Sequence, residues 1–369
     1  MRYVFAFILF IHGIIHIMGF IKAFQSSDSI KPTQSVSKPI GFLWLFVYVL
    51  FMVATLFYLF EENWWFVLAF TAVIVSQVLI IIYWKVAKFG SIANLVILVV
   101  SIVAYSSCQF SEMIEKESIE LLQNIEEANN SDDNKNRVED LPLIVQKWLN
   151  NSGAIDKGEK RVVHLEQIGE MRNEPKSKWM PFLANQYINT INPGFLWTAK
   201  VQAMPFVTIY GRDKLINGKG EMLIKLSTLV TIENEKENEK IDSGAMLRFL
   251  SEICWVPSVA LNDCIKWEAI NSTSAKATLT VNNKSVAGVF NFNDEGEILS
   301  FETNRYYGGE KEAKQEQWVV KMLSYKTFNA IKIPNKCKVI WKLAEGDFNW
   351  LNLEVTDMDY NSPLTFLKE

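Results

Sequence analysis

Four apolar stretches fill the first 110 residues of the chain, a pattern that argues against a single water-soluble globule. They cover residues 3–24, 40–60, 64–84 and 92–108. Each has about 17–22 residues, the length that a helix needs to cross a hydrocarbon core of about 30 Å. The sequence therefore predicts a four-helix transmembrane anchor within residues 1–110. Tryptophan and tyrosine at the ends of the third stretch suit the membrane interfaces.

Lysines lie in alternate connections between these stretches, and this asymmetry predicts their orientation. The first connection holds or adjoins Lys22, Lys31 and Lys38, and the third holds Lys85 and Lys88, whereas the second contains Glu61, Glu62 and Asn63. Cytoplasmic loops retain Lys and Arg, so the first and third connections should face the cytoplasm. The N-terminus, with Arg2, and the C-terminal part would then lie outside it. A cleaved signal peptide is the alternative for the first stretch, but residues 22–26 lack a small-residue cleavage site.

Two of the three histidines lie inside the first stretch, at His12 and His16. A spacing of four places both imidazoles on one face of a helix, about one turn apart. Ionisable groups at membrane depth are costly and face a bundle interior or a cavity. One interpretation is a haem or metal ligand pair, since neutral imidazole coordinates both. The other is interhelical hydrogen bonding to Ser76, Gln77 or Ser101.

Residues 111–139 form the predicted acidic linker. The segment from 111 through Asp140 contains ten acidic residues and three basic ones, with an Asn/Asp-rich run over 129–136. Its first part, 112–128, is expected to continue the fourth helix, and the Asn/Asp-rich run is typical of a flexible tether. From Leu141 onward the chain carries no net charge. It therefore lacks the broad basic surface that nucleic-acid binding requires.

Residues 140–369 show the pattern of a soluble, strand-rich domain. Apolar and polar residues alternate over 195–202, 275–281 and 337–343. A period of two predicts antiparallel sheets with one apolar face and one wetter face. Turn signals separate the strands, at Asn217-Gly218, Asn282-Asn283 and 294–296. The fold class is therefore α+β.

Two helices are predicted within this domain. A short one starts with Asp140 as its cap and Pro142 in its first turn, and Gly153 ends it. The main one covers 245–255, and its wide apolar face is suited to lying on a sheet. Arg248 and Glu252 are four residues apart on the opposite side and are expected to form a surface ion pair.

Motifs for the common catalytic chemistries are missing from the sequence, so the site candidates are polar pairs and tryptophans. No Gly-rich phosphate loop, Gly-x-Ser-x-Gly elbow, His-Glu-x-x-His pair or Cys-x-x-Cys occurs. His164 is expected to be a solvent-facing strand residue rather than a catalyst. The candidates for ligand binding are Trp179, Trp197, Arg212, Asp213, Arg248, Glu252 and Trp255. The charged pairs could orient a ligand headgroup or tie the helix to the sheet. The tryptophans could line a pocket or belong to the core.

Cys254 and Cys264 lie ten residues apart across a proline-containing turn. Outside the cytoplasm they could form a disulfide. The alternative is that both are small buried hydrophobic residues.

Several fragments resemble an uncharacterised family of bacterial membrane proteins that joins N-terminal membrane helices to a strand-rich domain. They are His12-Gly-Ile-Ile-His16, Asn192-Pro-Gly-Phe-Leu-Trp197, Gly211-Arg-Asp213 and Arg248-Phe-Leu-Ser-Glu252 with the residues that follow to Pro257. The resemblance covers nearly the whole chain and implies no known activity. Together with the orientation that the lysines predict, it indicates a multi-pass protein of the bacterial cytoplasmic membrane with an extracytoplasmic C-terminal domain.

The soluble domain also resembles the LolA-like lipoprotein-carrier fold. Ser324-Tyr325, followed by Ile331-Lys-Ile-Pro334 and a further strand, carries this resemblance. It implies an incomplete antiparallel barrel in which helices cover an apolar cavity.

Three functions are consistent with these patterns. The leading hypothesis is a non-enzymatic, extracytoplasmic binder of a hydrophobic or lipid-like ligand, with the lipid bilayer as its partner and no cofactor. The second is a redox membrane protein that binds haem or a metal through His12 and His16. The third is an extracytoplasmic enzyme that works through Arg212, Asp213 and the Arg248/Glu252 pair.

Overall fold

The computed structural model describes residues 2–25, 36–123, 134–155, 161–205 and 207–360. The chain forms two compact units, Met1–Glu112 and Met113–Glu369. Lys31 and most of the Asn/Asp-rich run predicted as a tether lie outside the described residues.

The first unit is helical. Its helices are α1 (Arg2–Phe24), α2 (Lys38–Leu59), α3 (Trp65–Ile82), the single turn α4 (Trp84–Ala87) and α5 (Gly90–Leu121). Four of them are long and apolar enough to cross a membrane. Their inner sides bury Leu9, Val47, Phe51 and Ile97. Large apolar side chains also cover the outer sides, which is expected of helices that face lipid.

Small residues let α1 and α2 approach closely. At Gly19 an added Cβ would overlap the indole ring of Trp44. In a membrane, van der Waals packing of this kind replaces the hydrophobic effect as the force that associates helices. Arg2 pairs with Glu61, so the N-terminus and the connection between α2 and α3 lie at the same end of this unit.

The second unit contains one antiparallel sheet of thirteen strands, which confirms the predicted class. The strands are β1 (Val162–Met171), β2 (Met180–Asn189), β3 (Gly194–Met204), β4 (Val207–Ile216), β5 (Lys219–Leu226), β6 (Val230–Glu235), β7 (Ile265–Asn271), β8 (Ser274–Val281), β9 (Lys284–Phe292), β10 (Ile298–Tyr306), β11 (Gln315–Phe328), β12 (Ile331–Leu343) and β13 (Gly346–Tyr360). They form two meanders, β1 to β6 and β7 to β13. Pairing of β1 with β13 joins them.

One helix covers most of the inner face of this sheet. Helix α8 (Glu239–Glu252) connects the two edge strands and contacts β4 and β5 on one wing and β8, β9 and β10 on the other. Because one helix touches both wings, the sheet curves around it as a half-barrel. Two short 3-10 turns, Ile253–Trp255 and Pro257–Leu261, continue from its end. The smaller helices α6 (Asn134–Glu139) and α7 (Leu143–Ser152) precede β1.

Local signals explain most element ends. Asn217 and Gly218 both have positive φ angles, 53° and 71°, in the hairpin between β4 and β5. Gly153 ends α7 in the left-handed conformation. The predicted cap of α7 was wrong, because its N-cap residue is Pro142 and no side chain caps it. Helix α8 begins six residues earlier than predicted, since the Asn238 side chain accepts a hydrogen bond from the backbone N–H of Lys240.

Candidate functional site

A charged stripe on α8 faces the concave side of the sheet. Gly244, Arg248 and Glu252 recur at a spacing of four, so they share one side of the helix. Glu252 is only 8% exposed. The surface ion pair predicted for Arg248 and Glu252 was therefore wrong in its location. The apolar residues of α8 are also buried, because the half-barrel encloses the helix from both wings.

The Arg248 guanidinium is the centre of a buried polar cluster. Its Nε donates to Glu252 at 2.7 Å, and its other nitrogens donate to Asp213 at 2.8 Å and to Gln186 at 3.4 Å. The guanidinium also lies 4.7 Å from the ring centre of Phe195 and 4.8 Å from that of Trp197. Burial alone would lower the pKa of Arg248, but the two carboxylates outweigh it and raise that pKa.

Neutral side chains extend the cluster across three strands. Gln186 donates to Glu252 at 2.6 Å, Gln167 donates to Gln186 at 3.3 Å, and the Trp197 indole donates to Gln167 at 2.9 Å. The helix is thus attached to the inner face of the sheet through hydrogen bonds as well as apolar packing. Of the predicted candidates, Trp197, Asp213, Arg248 and Glu252 come together here.

Arg212 precedes Asp213 on β4. It lies on the opposite face of that strand, because the side chains of successive strand residues point to opposite faces. It is 4% exposed and pairs with Glu117 at 3.1 Å and Glu221 at 3.2 Å. Lys214, two residues on, also pairs with Glu117, at 3.0 Å. Glu117 belongs to the last turns of α5, so this second charged cluster fastens those turns to the convex side of the sheet.

The other two candidate tryptophans lie outside the Arg248 cluster. Trp255 is buried, and its indole donates to the carbonyl of Pro334 at 3.0 Å. Trp179 lies next to β2, with the guanidinium of Arg172 4.5 Å from its ring centre.

Sequence reasoning missed Arg305, which also lies on the concave side. Its guanidinium lies 4.8 Å from the ring centre of Trp318 and 5.9 Å from that of Trp341. Among the described residues it has no hydrogen-bond acceptor and no carboxylate within 4.0 Å, even though Glu316 is its register partner on β11. Burial and the neighbouring Arg248 lower the pKa of Arg305 to about 10. The alternation of β10 could have revealed it. Arg305 is four residues after the buried Phe301, so both side chains point to the same, inner face of the sheet.

The concave side contains little empty space. A recess of about 180 Å³ lies between α8, the 3-10 turns and β2, and it has no room for a water molecule. Its lining is Ile188, Phe249, Glu252, Ile253, Val256 and Val259. Small-molecule sites have volumes of about 300–1,000 Å³. The apolar cavity implied by the LolA-like resemblance is therefore filled here by α8 and its side chains.

Of the two alternatives for Cys254 and Cys264, a disulfide or free thiols, this structure has the free thiols. Cys254 is buried in the first 3-10 turn, and Cys264 packs partly buried against the same core. Burial raises the pKa of Cys264 to about 11 and that of Cys254 well above its usual value. His164 is half-buried on β1, where it stacks on Tyr187 and contacts the Asn185 side chain at 3.3 Å.

The two membrane histidines belong to an interhelical hydrogen-bond network. His16 Nδ1 donates to the His12 carbonyl at 2.8 Å, which assigns its Nε2 as the acceptor for the Ser76 hydroxyl at 2.8 Å. His12 Nε2 donates to Asn94 at 2.8 Å, and the Asn94 amide donates to Ser76 at 3.0 Å and to Gln77 at 3.1 Å.

Of the expected partners, Ser76 bonds His16 directly, whereas Gln77 joins the network only through Asn94, the unexpected direct partner of His12. The third expected partner, Ser101, is buried but has no hydrogen-bond partner among the described residues. A metal site does not fit these side chains. Both ring nitrogens of His16 are engaged, and no third His, Cys, Asp or Glu completes a ligand set within the described part of the chain.

Fold and site together define a class of protein: four apolar helices joined to an antiparallel half-barrel with a helix on its concave side. The chain belongs to the family of unknown function DUF6920, whose model matches residues 139–360. No curated protein matches it.

Several solved structures are similar to this chain at low identity. A domain from Vibrio parahaemolyticus assigned to outer membrane lipoprotein sorting is 11% identical, covers 63% of this chain and 100% of its own, and has a TM-score of 0.36. A DUF1329 family protein from Desulfovibrio piger is 8% identical over 65% of this chain and 98% of its own, with a TM-score of 0.37. A LolA superfamily protein from Nitrosomonas europaea is 8% identical, covers 61% of this chain and 96% of its own, and has a TM-score of 0.35.

Proposed function

We propose that this protein is a membrane-tethered, non-enzymatic binder of a hydrophobic or lipid-like ligand, with its half-barrel outside the cytoplasm. The observation that carries the proposal is the polar attachment of α8 to an otherwise apolar concave face. Phe195, Trp197, Phe290 and Phe301 line that face, where α8 and its neighbouring turns cover them together with Trp148 of α7, which stacks on Phe290.

A buried ion pair stabilises an interface less than apolar packing of the same volume does. The Arg248 cluster therefore holds α8 in one position at a modest net free energy, and its hydrogen bonds can be exchanged for water when the helix moves. Displacement of α8 is required for binding, because the present recess has no room even for a water molecule. In this proposal the ligand binds by taking the place of α8 on the concave face.

The membrane placement follows from charge. The lysines at both ends of the first connection and within the third, Lys22, Lys38, Lys85 and Lys88, face the cytoplasm under the positive-inside rule. The half-barrel after α5 then lies outside the cytoplasm, tethered to the bilayer. A domain tethered there meets lipids at high local concentration.

Energy transfer to a bound probe tests the proposal on the full-length protein. A pyrene-labelled fatty acid would be added to protein in dodecyl maltoside, and emission would be excited through tryptophan. The matched variant Trp197→Phe removes the donor beside the Arg248 cluster and leaves the other tryptophans in place. We expect it to lower the transfer signal, because the ligand lies beside that residue.

Loosening the helix should speed uptake. Asp213→Asn weakens one of the bonds to Arg248, so the probe should enter faster than in the parent protein. Lys276→Gln, which breaks an exposed ion pair with Glu268, is the control and should leave the rate unchanged. Equal transfer in the parent protein and Trp197→Phe, together with no lipid in an organic extract of the purified protein, would refute the proposal.

A further inference from the structure

Arg305 on the concave face is a cation for which the described residues supply no counter-ion. Arg248, the neighbouring guanidinium group on α8, pairs with two carboxylates. Arg305 pairs with none among the described residues, although it is partly buried. A partly buried charge without a partner is costly, and proteins avoid it unless it has a use.

A second unpaired donor lies beside the first. Trp318 is 3% exposed, and its indole Nε1 has no hydrogen-bond partner within the described residues. Buried polar groups are nearly always hydrogen-bonded, so an orphan indole N–H next to an orphan guanidinium marks a local excess of donors. Such a place suits a group with several acceptor oxygens and negative charge.

We propose that Arg305 and Trp318 bind the anionic oxygen group, a phosphate or carboxylate, of the ligand that enters under α8. The inference rests on the function proposed above and names the chemistry of the headgroup. Arg305 supplies the charge and the fork of N–H donors, and stacking on the indole of Trp318 orients that fork.

The position of Arg305 within the fold suits a site for a lipid headgroup rather than a site for acyl chains. Arg305 lies near the end of β10, where the β10–β11 connection meets the first turn of α8. Asn238 donates to the Gly309 carbonyl at 2.9 Å, and Lys240 donates to the Glu310 carbonyl at 2.8 Å. The polar rim is therefore at this end, and the apolar lining follows inward from it.

Gly244 makes room for the guanidinium. A Cβ added there would lie 3.1 Å from Nε of Arg305 and 3.3 Å from one of its terminal nitrogens. Because Gly244 has no side chain, the guanidinium fits closely against α8. Gly244 also offers it no side-chain acceptor. A ligand oxygen is the acceptor that the inference supplies.

Three probes distinguish binding of the headgroup from binding of the acyl chains. Each is added to the full-length protein in dodecyl maltoside, and its affinity is measured by native mass spectrometry. Dioctanoyl phosphatidic acid has both an anion and chains, dioctanoylglycerol has chains alone, and inorganic phosphate is the free anion. The variants are Arg305→Gln, Arg305→Lys and the control Lys200→Gln, which removes an exposed lysine on β3. Melting temperatures check that each variant is folded.

We expect the parent protein to bind phosphatidic acid about tenfold more tightly than dioctanoylglycerol, the usual gain from a charge-assisted hydrogen bond. Arg305→Gln should bring the ratio close to one without changing dioctanoylglycerol affinity, Arg305→Lys should retain part of it, and Lys200→Gln should leave it intact. Binding of inorganic phosphate that depends on Arg305 would identify a free anion as the source.

Two results would overturn the inference, and they differ from each other. A preference for phosphatidic acid that survives in Arg305→Gln means that the anion binds elsewhere, while the lipid-binding function stands. If neither lipid binds to the parent protein, the proposed function fails and the headgroup site fails with it.

Discussion

The attachment of α8 through Arg248 gives a stability prediction that can be worked out from the contacts. Arg248→Met keeps the length and apolar stem of the side chain but removes its charge. Glu252, with a side chain 10% exposed, and Asp213, at 31%, then lose their shared cation. Removing one partner of a buried ion pair costs about 3–5 kcal/mol. Loss of the stacking on Phe195 and Trp197 adds roughly 0.5–2 kcal/mol.

The two carboxylates are not equivalent, and the difference provides an internal check. Asp213→Asn should cost only about 1 kcal/mol, because Asp213 is more exposed and Arg248 keeps its bond to Glu252. Glu252→Gln should cost more, since it leaves Arg248 with one partly exposed carboxylate. The expected order of destabilisation is therefore Arg248→Met, then Glu252→Gln, then Asp213→Asn.

Urea unfolding of the full-length protein at constant dodecyl maltoside, followed by tryptophan fluorescence, measures these differences. Lys276→Met is the matched control, because its ion pair with Glu268 is 3.5 Å long and both side chains are exposed. That variant should change the free energy of unfolding by about 0–1 kcal/mol. If Arg248→Met cost no more than the control, the charges between helix and sheet would have to be solvated, and the reasoning would be wrong.

Three further predictions concern other parts of the molecule. Asn94→Leu breaks the histidine network and should lower the stability of the helical unit by about 1 kcal/mol in an SDS titration. Gly19→Leu should lower its melting temperature by circular dichroism, because the indole of Trp44 occupies the space. The bond from Lys332 lowers the pKa of Glu297 below 4.5, so this carboxylate contributes stability above that pH and loses it as the pH falls through the lowered pKa. Acid unfolding should therefore be less steep in Glu297→Gln than in the parent protein.

The helices and strands could be predicted because their signals are local. Four apolar stretches located α1, α2, α3 and α5, and period-two alternation located β3, β8 and β12. The start of α8 was missed because Asn238 lies in a charged run that has no apolar periodicity. The pairing of β1 with β13 has no local signal at all, since the two strands come from opposite ends of the domain.

The site was predicted only in part, and the reason is again distance along the chain. Trp197, Asp213, Arg248 and Glu252 were named as candidates, but the helical pattern alone placed the last two on the surface. Their burial depends on a sheet that curves far enough to touch α8 with both wings. Arg305 was overlooked because its lack of a partner is a property of the folded unit, which no pattern in β10 reveals.

The polar layer under α8 also bears on the proposed exchange of that helix for a ligand. A protein that only had to be stable would fill this interface with apolar side chains, because buried ion pairs are replaced by such packing at little or no cost. With an apolar interface, however, displacing α8 would cost the free energy of exposing two apolar surfaces to water, that of the helix and that of the sheet. With the Arg248 cluster, part of the released surface is charged and regains hydration. If the half-barrel meets lipid as proposed, the remaining cost is lower still, since the apolar face that α8 would uncover could pass directly from helix to lipid.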